Sequence, residues 1–373
     1  MRVGLLKYRE FHDPILRPAY GVLQKDHDCL LTLSEEDLVA FRPDVVIMAE
    51  AVAGRLRQRM PRALFIHTRH GLASKKHAYK GANESDYLCV TSHAMKNWYL
   101  QNGAHPRRDF WVIGYLQMDP IFRGVTLPLP ENLRIEPGRK VVLFAPTWNP
   151  QLSAAPMLGE DFARRIRGRR DDVSIIVKPH PLIAAKNPEW VEWWRRQAAG
   201  DPHVHLVRDP NADIMPFLQC ADLLVSDASS VLLEYLAVDR PMILLSHPAR
   251  LSCKEYDPAG YEWTWRDMGE DLEDVEQLPE AVDRGLSDPS ARAEQRARYR
   301  EQLFGGYTDG RAFERLAEHV ERLRWVVPVV RASYALQWPL RKVRGARRRL
   351  SRSPAAHADT PASDETPGKQ IIA

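Results

Sequence analysis

The chain has 373 residues, 44 % of them hydrophobic and 27 % charged, which excludes a disordered or fibrous protein and predicts a globular one of about two domains. No stretch reaches the roughly 18 uninterrupted apolar residues of a membrane span, and the apolar part of residues 1–10 is too short for a signal peptide. The four cysteines, Cys29, Cys89, Cys220 and Cys253, lack metal-ligand spacing. We therefore expect reduced thiols in a cytoplasmic protein with neither a structural zinc nor a disulfide framework.

The net charge of +4 is unevenly distributed along the chain. Residues 322–352 carry ten Lys/Arg and no acid, with aromatic residues interleaved. This basic amphipathic segment predicts contact with an anionic membrane surface or with a protein partner. The preceding residues are mildly acidic overall, so nucleic acid is not an expected partner. Residues 354–373, rich in Ala, Pro, Ser and Thr, are predicted to be disordered.

Short apolar runs alternate with helical patterns over the first 125 residues. Buried strands are predicted at 3–7, 29–33, 44–48, 63–67, 87–91 and 110–113. Helical patterns are predicted at 34–41 and 93–102, and Ser34 with Asp37 three residues later forms an N-terminal capping signal for the first. Uninterrupted apolar strands between helices predict a parallel sheet that is covered on both faces.

A proline-rich stretch at 124–138 predicts a linker between domains 1–123 and 139–321. After it the alternation resumes, with strands predicted at 141–145, 173–177, 203–207, 223–226 and 242–245. Helices are predicted at 161–167, 190–199, 212–221 and 230–238, and two or three charged helices within 279–324. The simplest architecture is α/β: two doubly wound, Rossmann-like domains that face a cleft, with ligands at the carboxyl ends of their strands.

Four candidate segments follow predicted strands, one in the first half of the chain and three in the second. In the first half, His70 and Gly71 come directly after a strand, with Lys75 and Lys76 close behind. An imidazole there is a candidate general base beside an anion-binding pair, although a strand-end histidine bonded to the backbone would give the same pattern. In the second half, Thr147 follows a strand and is a candidate phosphate ligand or turn cap.

The next candidate is the loop Lys178-Pro-His-Pro181, in which two prolines hold Lys178 and His180 on a stiff path. Two cationic or proton-donating groups on a rigid loop suit a phosphate, and a solvated surface loop is the alternative.

A buried strand then ends in Ser226-Asp-Ala-Ser-Ser230, which starts a helix. The hydroxyls of Ser229 and Ser230, together with free backbone N–H groups, predict a phosphate site. Glu234, one turn further on, is placed to reach a ribose, and simple helix capping by the serine is the alternative.

Three well-known motifs that the sequence lacks disfavour particular classes of enzyme. The sequence has neither a Gly-x-x-x-x-Gly-Lys-Ser/Thr loop nor a Gly-x-Gly-x-x-Gly turn, which disfavours a P-loop ATPase or a dinucleotide-dependent dehydrogenase. A Gly-x-Ser-x-Gly nucleophile elbow is also missing, which disfavours a hydrolase of that type.

Five blocks in register resemble the CDP-glycerol glycerophosphotransferase family of teichoic acid polymerases, primases and related capsule enzymes. The blocks are His70-Gly71 with Lys75, Phe144-Ala-Pro-Thr-Trp148, Lys178-Pro-His-Pro181, Ser226-Asp-Ala-Ser-Ser-Val-Leu-Leu-Glu234 and Asp309-Gly-Arg-Ala-Phe-Glu-Arg315. Arg69 stands where the family has Trp, and Ala228 where it has Tyr.

The resemblance implies a GT-B type fold and a transferase that uses a CDP-alditol donor and a hydroxyl of a glycan or polyol-phosphate acceptor, lipid-linked acceptors included, at the inner face of the plasma membrane. His70 would be the base, and His180 would bind or protonate the donor diphosphate. The substrate-binding residues would be Gly71, Lys75, Thr147, Lys178, Asp227, Ser229, Ser230 and Glu234. No cofactor is implied. The alternatives are a nucleotide-sugar glycosyltransferase or UDP-sugar 2-epimerase on the same fold, and a non-catalytic adaptor.

Overall fold

Two parallel β-sheets organise the chain in the computed structural model, which describes residues 1–73 and 78–350 and the side chains of residues 1–73 and 81–334. Within those residues, each sheet has six strands, and every strand pairs in parallel with its neighbours. This arrangement confirms the α/β class and the doubly wound sheets that the sequence predicts.

The first sheet has the order β2-β1-β3-β4-β5-β6. Its strands are β1 (Arg2–Leu6), β2 (Asp28–Thr32), β3 (Val45–Met48), β4 (Leu64–His67), β5 (Tyr87–Val90) and β6 (Asp109–Val112). Its helices are α1 (Asp13–Leu23), α2 (Glu35–Phe41), α3 (Ala53–Arg59), α4 (Ala78–Glu84), α5 (His93–Gln101) and α6 (Asp119–Phe122). The chain passes from β1 to one side and then back to β3 on the other, so the carboxyl ends of β1 and β3 flank a topological switch point, where such sheets bind ligands.

The second sheet has the order β12-β11-β10-β7-β8-β9. Its strands are β7 (Lys140–Phe144), β8 (Val173–Val177), β9 (Val204–Leu206), β10 (Leu223–Ser226), β11 (Met242–Leu245) and β12 (Glu270–Leu272). The helices of this half of the chain, in order, are α7 (Ala154–Leu158), α8 (Phe162–Arg167), α9 (Ile183–Lys186), α10 (Pro188–Gly200), α11 (Met215–Cys220), α12 (Val231–Glu234), α13 (Tyr261–Thr264), α14 (Leu278–Ser287), α15 (Ala293–Phe304) and α16 (Ala312–Leu350). The switch point of this sheet lies between β7 and β10.

All eleven predicted strands are present to within a residue or two, and the predicted cap of α2 forms, because Ser34 Oγ accepts the N–H of Asp37 at 3.1 Å. The sequence analysis missed β12, whose residues Glu-Asp-Leu carry only one apolar side chain. The helix predicted at 230–238 is shorter than expected: α12 covers four residues and continues as one 3₁₀ turn, Tyr235–Ala237. Its dipole is correspondingly small.

The two sheets lie on either side of residues 124–138, but the end of the chain returns to the first sheet. In the compact unit Met1–Val327, the ring of His319 on α16 stacks on Trp111 of β6 at 4.7 Å. The sequence division at 321 therefore does not separate the two packing layers, and the proposed domain limits stay a prediction. The second unit, Pro328–Ala373, contains the rest of α16. Residues 351–373, which include the whole segment predicted to be disordered, lie outside the described residues. No helix in the described part of the chain is long and apolar enough to cross a membrane.

The start of α16 is held by a carboxylate from the first half of the chain. Asp119, only 2 % exposed, accepts the backbone N–H groups of Ala312 and Phe313, both at 3.0 Å. These N–H groups have no acceptor within the helix, so the distant carboxylate replaces a local cap.

We expect Asp119→Ala to lower the free energy of unfolding by about 2 kcal/mol, because two buried N–H groups lose an ionised acceptor. Urea denaturation measures this loss. Asp161→Ala is the matched control, since Asp161 precedes α8 without capping it through its side chain and should change stability by less than about 0.5 kcal/mol. Equal losses in both variants would contradict the capping role.

Candidate active site

Loops from both sheets meet at one cleft of about 330 Å³. The predicted site residues that line it are His70, Gly71, Lys178, His180, Ser229, Ser230 and Glu234. A neighbouring cavity of about 260 Å³ shares His70, His180 and both serines and is also lined by Thr147. Eight of the ten predicted site residues are thus brought together. Lys75 lies outside the described residues, and Asp227 lies beneath the cleft rather than in its wall.

The loop after β4 turns sharply around His70. Arg69 and Gly71 on either side have φ angles of +66° and +91°, in the left-handed region that disfavours most side chains. Arg69 is held there by its guanidinium, which donates to the carbonyl of Ala73 at 2.9 Å and stacks over the ring of Tyr99. Strained backbone of this kind persists where neighbouring contacts over-determine it, and such places cluster at functional sites.

Hydrogen bonding sets the tautomer of His70. Its Nδ1 lies 2.9 Å from the carbonyl oxygen of Ala49, and a carbonyl can only accept, so Nδ1 carries the proton. The opposite nitrogen, Nε2, is left with the lone pair. The side chain is 39 % exposed and lines the cleft. His70 therefore offers a proton acceptor to a group bound there.

Two charged or polar neighbours surround the His70 ring at the switch point of the first sheet. Oε1 of Glu50 lies 3.7 Å from His70 Nδ1 and 3.4 Å from Nε2 of His12. Burial lowers the pKa of His70, and the charge of Glu50 only partly opposes that shift. The imidazole is therefore neutral at neutral pH, which is the form a base requires.

The loop after β8 presents the opposite imidazole. Nδ1 of His180 accepts the backbone N–H of Leu182 at 3.2 Å, so in the neutral ring Nε2 carries the proton. His180 is therefore a donor where His70 is an acceptor. Next to it, Lys178 is 5 % exposed and its ammonium donates to the carbonyl of Pro210 at 2.9 Å. Burial lowers the pKa of Lys178 to about 8, so it is mostly cationic at pH 7.

The turn after β10 lies directly against the His70 loop. A Cβ added at Gly71 would lie 3.0 Å from Oγ and 3.3 Å from Cβ of Ser230. A Cβ at these distances would be tighter than an ordinary contact, and the φ of +91° favours glycine over residues with a side chain. The hydroxyl-bearing turn of the second sheet and the histidine loop of the first therefore share one wall of the cleft.

Asp227 is not among the residues that line the cleft, and its role as a substrate ligand stays a prediction. Its carboxylate is fully buried and accepts the N–H of Thr147 at 2.9 and 3.0 Å and the N–H of Ala154 at 2.8 Å. It thereby ties the loop after β7 to the turn after β10 across the switch point. Burial raises the pKa of Asp227 to about 6 despite these donors, and its role is to position the two loops.

Glu234 lies between the two halves of the cleft. Its side chain is 4 % exposed, and its Oε1 accepts the hydroxyl of Tyr115 at 3.3 Å. The same hydroxyl accepts the N–H of Gly71 at 2.9 Å, which links the histidine loop to α12 through Tyr115. Burial raises the pKa of Glu234 to about 7, so near neutral pH the group is poised between carboxyl and carboxylate.

The sequence analysis did not single out His12 and Glu50. Both follow strands that end at the switch point, β1 and β3, and that position is the signal by which they could have been found. Together with His70 they offer ligand atoms within 4.8 Å of one another, the one such group among the described residues. The Nδ1 proton of His70 is already donated to Ala49 and would have to be displaced by a cation, so we assign no metal to this group.

The fold and the arrangement of loops at two facing switch points are those of the GT-B class of transferases. The chain belongs to the CDP-glycerol:poly(glycerophosphate) glycerophosphotransferase family, whose sequence profile matches residues 34–322. This finding confirms the family resemblance carried by the five sequence blocks.

Relatives and solved structures agree with this placement. The chain is 25 % identical over 170 residues to the teichoic acid glycerol-phosphate primase of Bacillus subtilis, and 28 % over 203 residues to the teichoic acid ribitol-phosphate polymerase TarK of Staphylococcus aureus. These matches cover 44 % and 52 % of this chain but only 41 % and 36 % of the relatives, so the chain spans less than half the length of either.

Among solved structures, the wall teichoic acid polymerase TagF superposes with a TM-score of 0.62 at 15 % identity, covering 86 % of this chain and 88 % of that one. A putative UDP-N-acetylglucosamine 2-epimerase from Listeria monocytogenes gives a TM-score of 0.57 at 16 % identity, covering 86 % and 95 %. At these identities the similarity defines the fold.

The raised pKa of Glu234 predicts a pH-dependent contribution to stability. Because the folded protein binds this proton more tightly than the unfolded chain, the contribution is complete below pH 4.5 and is lost as the pH rises through about 7. We expect the free energy of unfolding of the wild type to fall by up to about 3 kcal/mol over this pH range because of Glu234. Glu234→Gln should not show this decrease. Urea denaturation of both proteins at pH 5 and pH 8 measures it, and parallel pH profiles would show that Glu234 has an ordinary pKa.

Proposed function

We propose that this chain transfers a polyol-phosphate unit from a CDP-alditol, with CDP-glycerol as the first candidate, to a hydroxyl of a glycan or polyol-phosphate acceptor, and releases CMP. The observation that carries the proposal is the pair of opposite tautomers in one cleft, an accepting Nε2 on His70 and a donating Nε2–H on His180. Family membership supplies the class of donor. The structure of a TagF variant soaked with CDPG supplies a precedent for the ligand.

In this reaction His70 acts as the base. Its Nε2 takes the proton of the acceptor hydroxyl while that oxygen attacks the β-phosphorus of the donor. The bond between that phosphorus and the oxygen bridging to the α-phosphate breaks, and CMP leaves with the bridging oxygen. Phosphoryl transfer of this kind depends mainly on positioning and on stabilising charge.

The second half of the cleft holds the donor. His180 donates its Nε2–H to a diphosphate oxygen, and the Lys178 ammonium adds a positive charge whose pKa rises again when an anion binds. The hydroxyl of Ser229 donates to a further phosphate oxygen, and that of Ser230 does the same by turning from Glu234, to which it donates without ligand. Glu234 accepts a hydroxyl of the ribose, and Thr147 lies at the edge of the same cavity.

The basic segment 322–352 is proposed to hold the enzyme at the cytoplasmic face of an anionic membrane, where a lipid-linked acceptor would be presented. In the first unit, Trp325 is 83 % exposed, and in the second unit Val329 is 67 % exposed. Exposed apolar side chains among basic ones suit a membrane interface. Residues 351 and 352 lie outside the described part of the chain.

We expect His70→Ala to lower the rate of CMP release by about 10²–10⁴-fold, the usual effect of removing a positioned base. Affinity for CDP should stay near that of the wild type, because the nucleotide is held by the second half of the cleft. The assay measures CMP release from CDP-glycerol with a glycerol-phosphate oligomer as acceptor, and calorimetry measures CDP binding. His105→Ala, an exposed histidine outside the cleft, is the control.

Ser230→Ala is the complementary variant of the same experiment and should weaken CDP binding by about 1–3 kcal/mol. A donor panel of CDP-glycerol, CDP-ribitol and UDP-N-acetylglucosamine separates the proposed activity from the sugar-nucleotide alternative. Release of UMP or UDP, or epimerisation, without release of CMP would overturn the proposed function. Normal CMP release by His70→Ala would remove His70 from the mechanism.

Membrane contact predicts that the full chain floats with vesicles of phosphatidylglycerol at low salt but not with phosphatidylcholine. Replacing Arg347, Arg348 and Arg349 by Gln should weaken this partition roughly a hundredfold, at about 1 kcal/mol for each basic residue near the surface. The matched control replaces three exposed arginines elsewhere, Arg164, Arg195 and Arg196, by Gln. If the full chain ignores anionic vesicles, the membrane role is wrong.

A further inference from the structure

The segment that follows β1 brings two rings onto His70. The imidazole of His12 lies 5.0 Å from that of His70 between ring centroids, and the ring of Phe11 lies 5.6 Å away. His12 is fully buried. It precedes the residues matched by the family profile, which begin at 34, so nothing in the family assignment gives it a role.

The tautomer of His12 is set in the same way as that of His70. Its Nδ1 accepts the backbone N–H of Tyr8 at 3.3 Å, so the proton of the neutral ring is on Nε2. That nitrogen makes no well-aligned hydrogen bond, and its acidic neighbour is Oε1 of Glu50 at 3.4 Å. A buried imidazole N–H is thereby held against the carboxylate that lies 3.7 Å from His70 Nδ1.

We propose that Glu50 and His12 are positioning residues for His70: Glu50 stabilises the imidazolium that forms when His70 takes a proton, and His12 holds Glu50 in place. This inference rests on the proposed function for its catalytic meaning. Its geometric content, a carboxylate that favours the protonated form of one particular histidine, is independent of any substrate.

The contacts of His70 and of Glu50 explain why Glu50 and His12 are both needed. Neutral His70 satisfies its Nδ1–H with the carbonyl of Ala49, which carries no net charge and cannot compensate a full positive charge. A carboxylate within 4 Å favours the charged ring. Burial by itself raises the pKa of Glu50, but the hydrogen bond from His12, together with the electrostatic attraction of the His70 and His12 rings, outweighs burial and holds that pKa below its usual value. Glu50 is therefore ionised when His70 needs it.

Other charged groups face His70 as well, and any titration must allow for them. Arg69 and His12 oppose protonation of His70, and Glu50 favours it. His67 shares the Ala49 carbonyl at 3.2 Å, but burial lowers its pKa to about 3, so it stays neutral. The remaining titratable groups that line the cleft with His70 are Arg9, Lys178, His180, Asp213 and Glu234.

The deciding measurement is the titration of His70 itself, followed by NMR in the full chain labelled at histidine ring carbons and assigned with His70→Gln. We expect Glu50→Gln to lower the titration midpoint of His70 by about one pH unit, because an adjacent negative charge is lost. Glu36→Gln is the control, since Glu36 is exposed and pairs with Arg59 away from the cleft. An unchanged midpoint in folded Glu50→Gln overturns the proposal.

Turnover supplies the second readout. With CDP-glycerol as donor, Glu50→Gln should lower kcat about ten- to a hundredfold, leave KM for the donor within about twofold, and move the acid limb of the pH profile downward. His12→Gln, which retains an N–H near Nε2, should keep most of the activity, whereas His12→Phe should lose as much as Glu50→Gln. If the two His12 variants are equally active, His12 has no positioning role.

The two readouts separate the two hypotheses. A shifted His70 midpoint in a protein that releases no CMP from CDP-glycerol contradicts the proposed function and retains the Glu50 contact. Normal wild-type turnover with an unshifted midpoint retains the function and overturns the contact.

Discussion

The close approach of the Gly71 backbone to Ser230 is the constraint on which the arrangement of the cleft depends. A Cβ at residue 71 would lie only 3.0 Å from Ser230 Oγ, on backbone with a positive φ, and the N–H of this glycine donates to the Tyr115 hydroxyl, which in turn donates to Glu234. One short stretch of backbone therefore fixes the histidine loop of the first sheet against the serine turn of the second. The accepting imidazole and the proposed phosphate ligands keep their spacing only while this contact holds.

Fixing the loops in this way places carboxyl groups where water cannot reach them. Asp227 and Glu234 are both buried, and burial raises the pKa of each, to about 6 and about 7. Asp227 recovers part of this desolvation cost from the backbone N–H groups that it accepts, whereas Glu234 has the hydroxyls of Tyr115 and Ser230. The buried carboxyl groups therefore destabilise the fold at the cleft, and the apolar packing of the two sheets offsets this cost. Such a distribution is common at functional sites.

The sequence predicted the strands well because parallel strands covered on both faces are continuous apolar runs, and such runs are visible without knowledge of their neighbours. The one missed strand, β12, has a polar sequence and lies at an edge of its sheet. Residues at strand ends were predicted for the same reason: His70, His180 and Ser230 follow apolar runs directly.

The roles of other residues could not be read from the sequence, because they depend on which strands become neighbours. Asp227 was expected to bind substrate, but the pairing of β10 with β7 places its carboxylate beneath the N–H groups of Thr147 and Ala154. His12 and Glu50 are 38 positions apart and meet His70 only because β1, β3 and β4 are adjacent in the sheet. Strand order is a long-range property that local patterns do not contain.

Contacts with the backbone, rather than residue type, determine which of the two histidines accepts a proton in the cleft and which donates one. The carbonyl of Ala49 fixes the proton of His70 on Nδ1, and the N–H of Leu182 fixes that of His180 on Nε2. In the proposed reaction the proton that His70 takes at Nε2 cannot pass on through Nδ1, because that nitrogen already carries a proton. It must leave by the nitrogen that received it, toward the cleft. The side chain of His70 is 39 % exposed, so the proton can pass from Nε2 to solvent after the product departs. The exposure that lets the acceptor reach His70 therefore also lets the imidazole return to its neutral form.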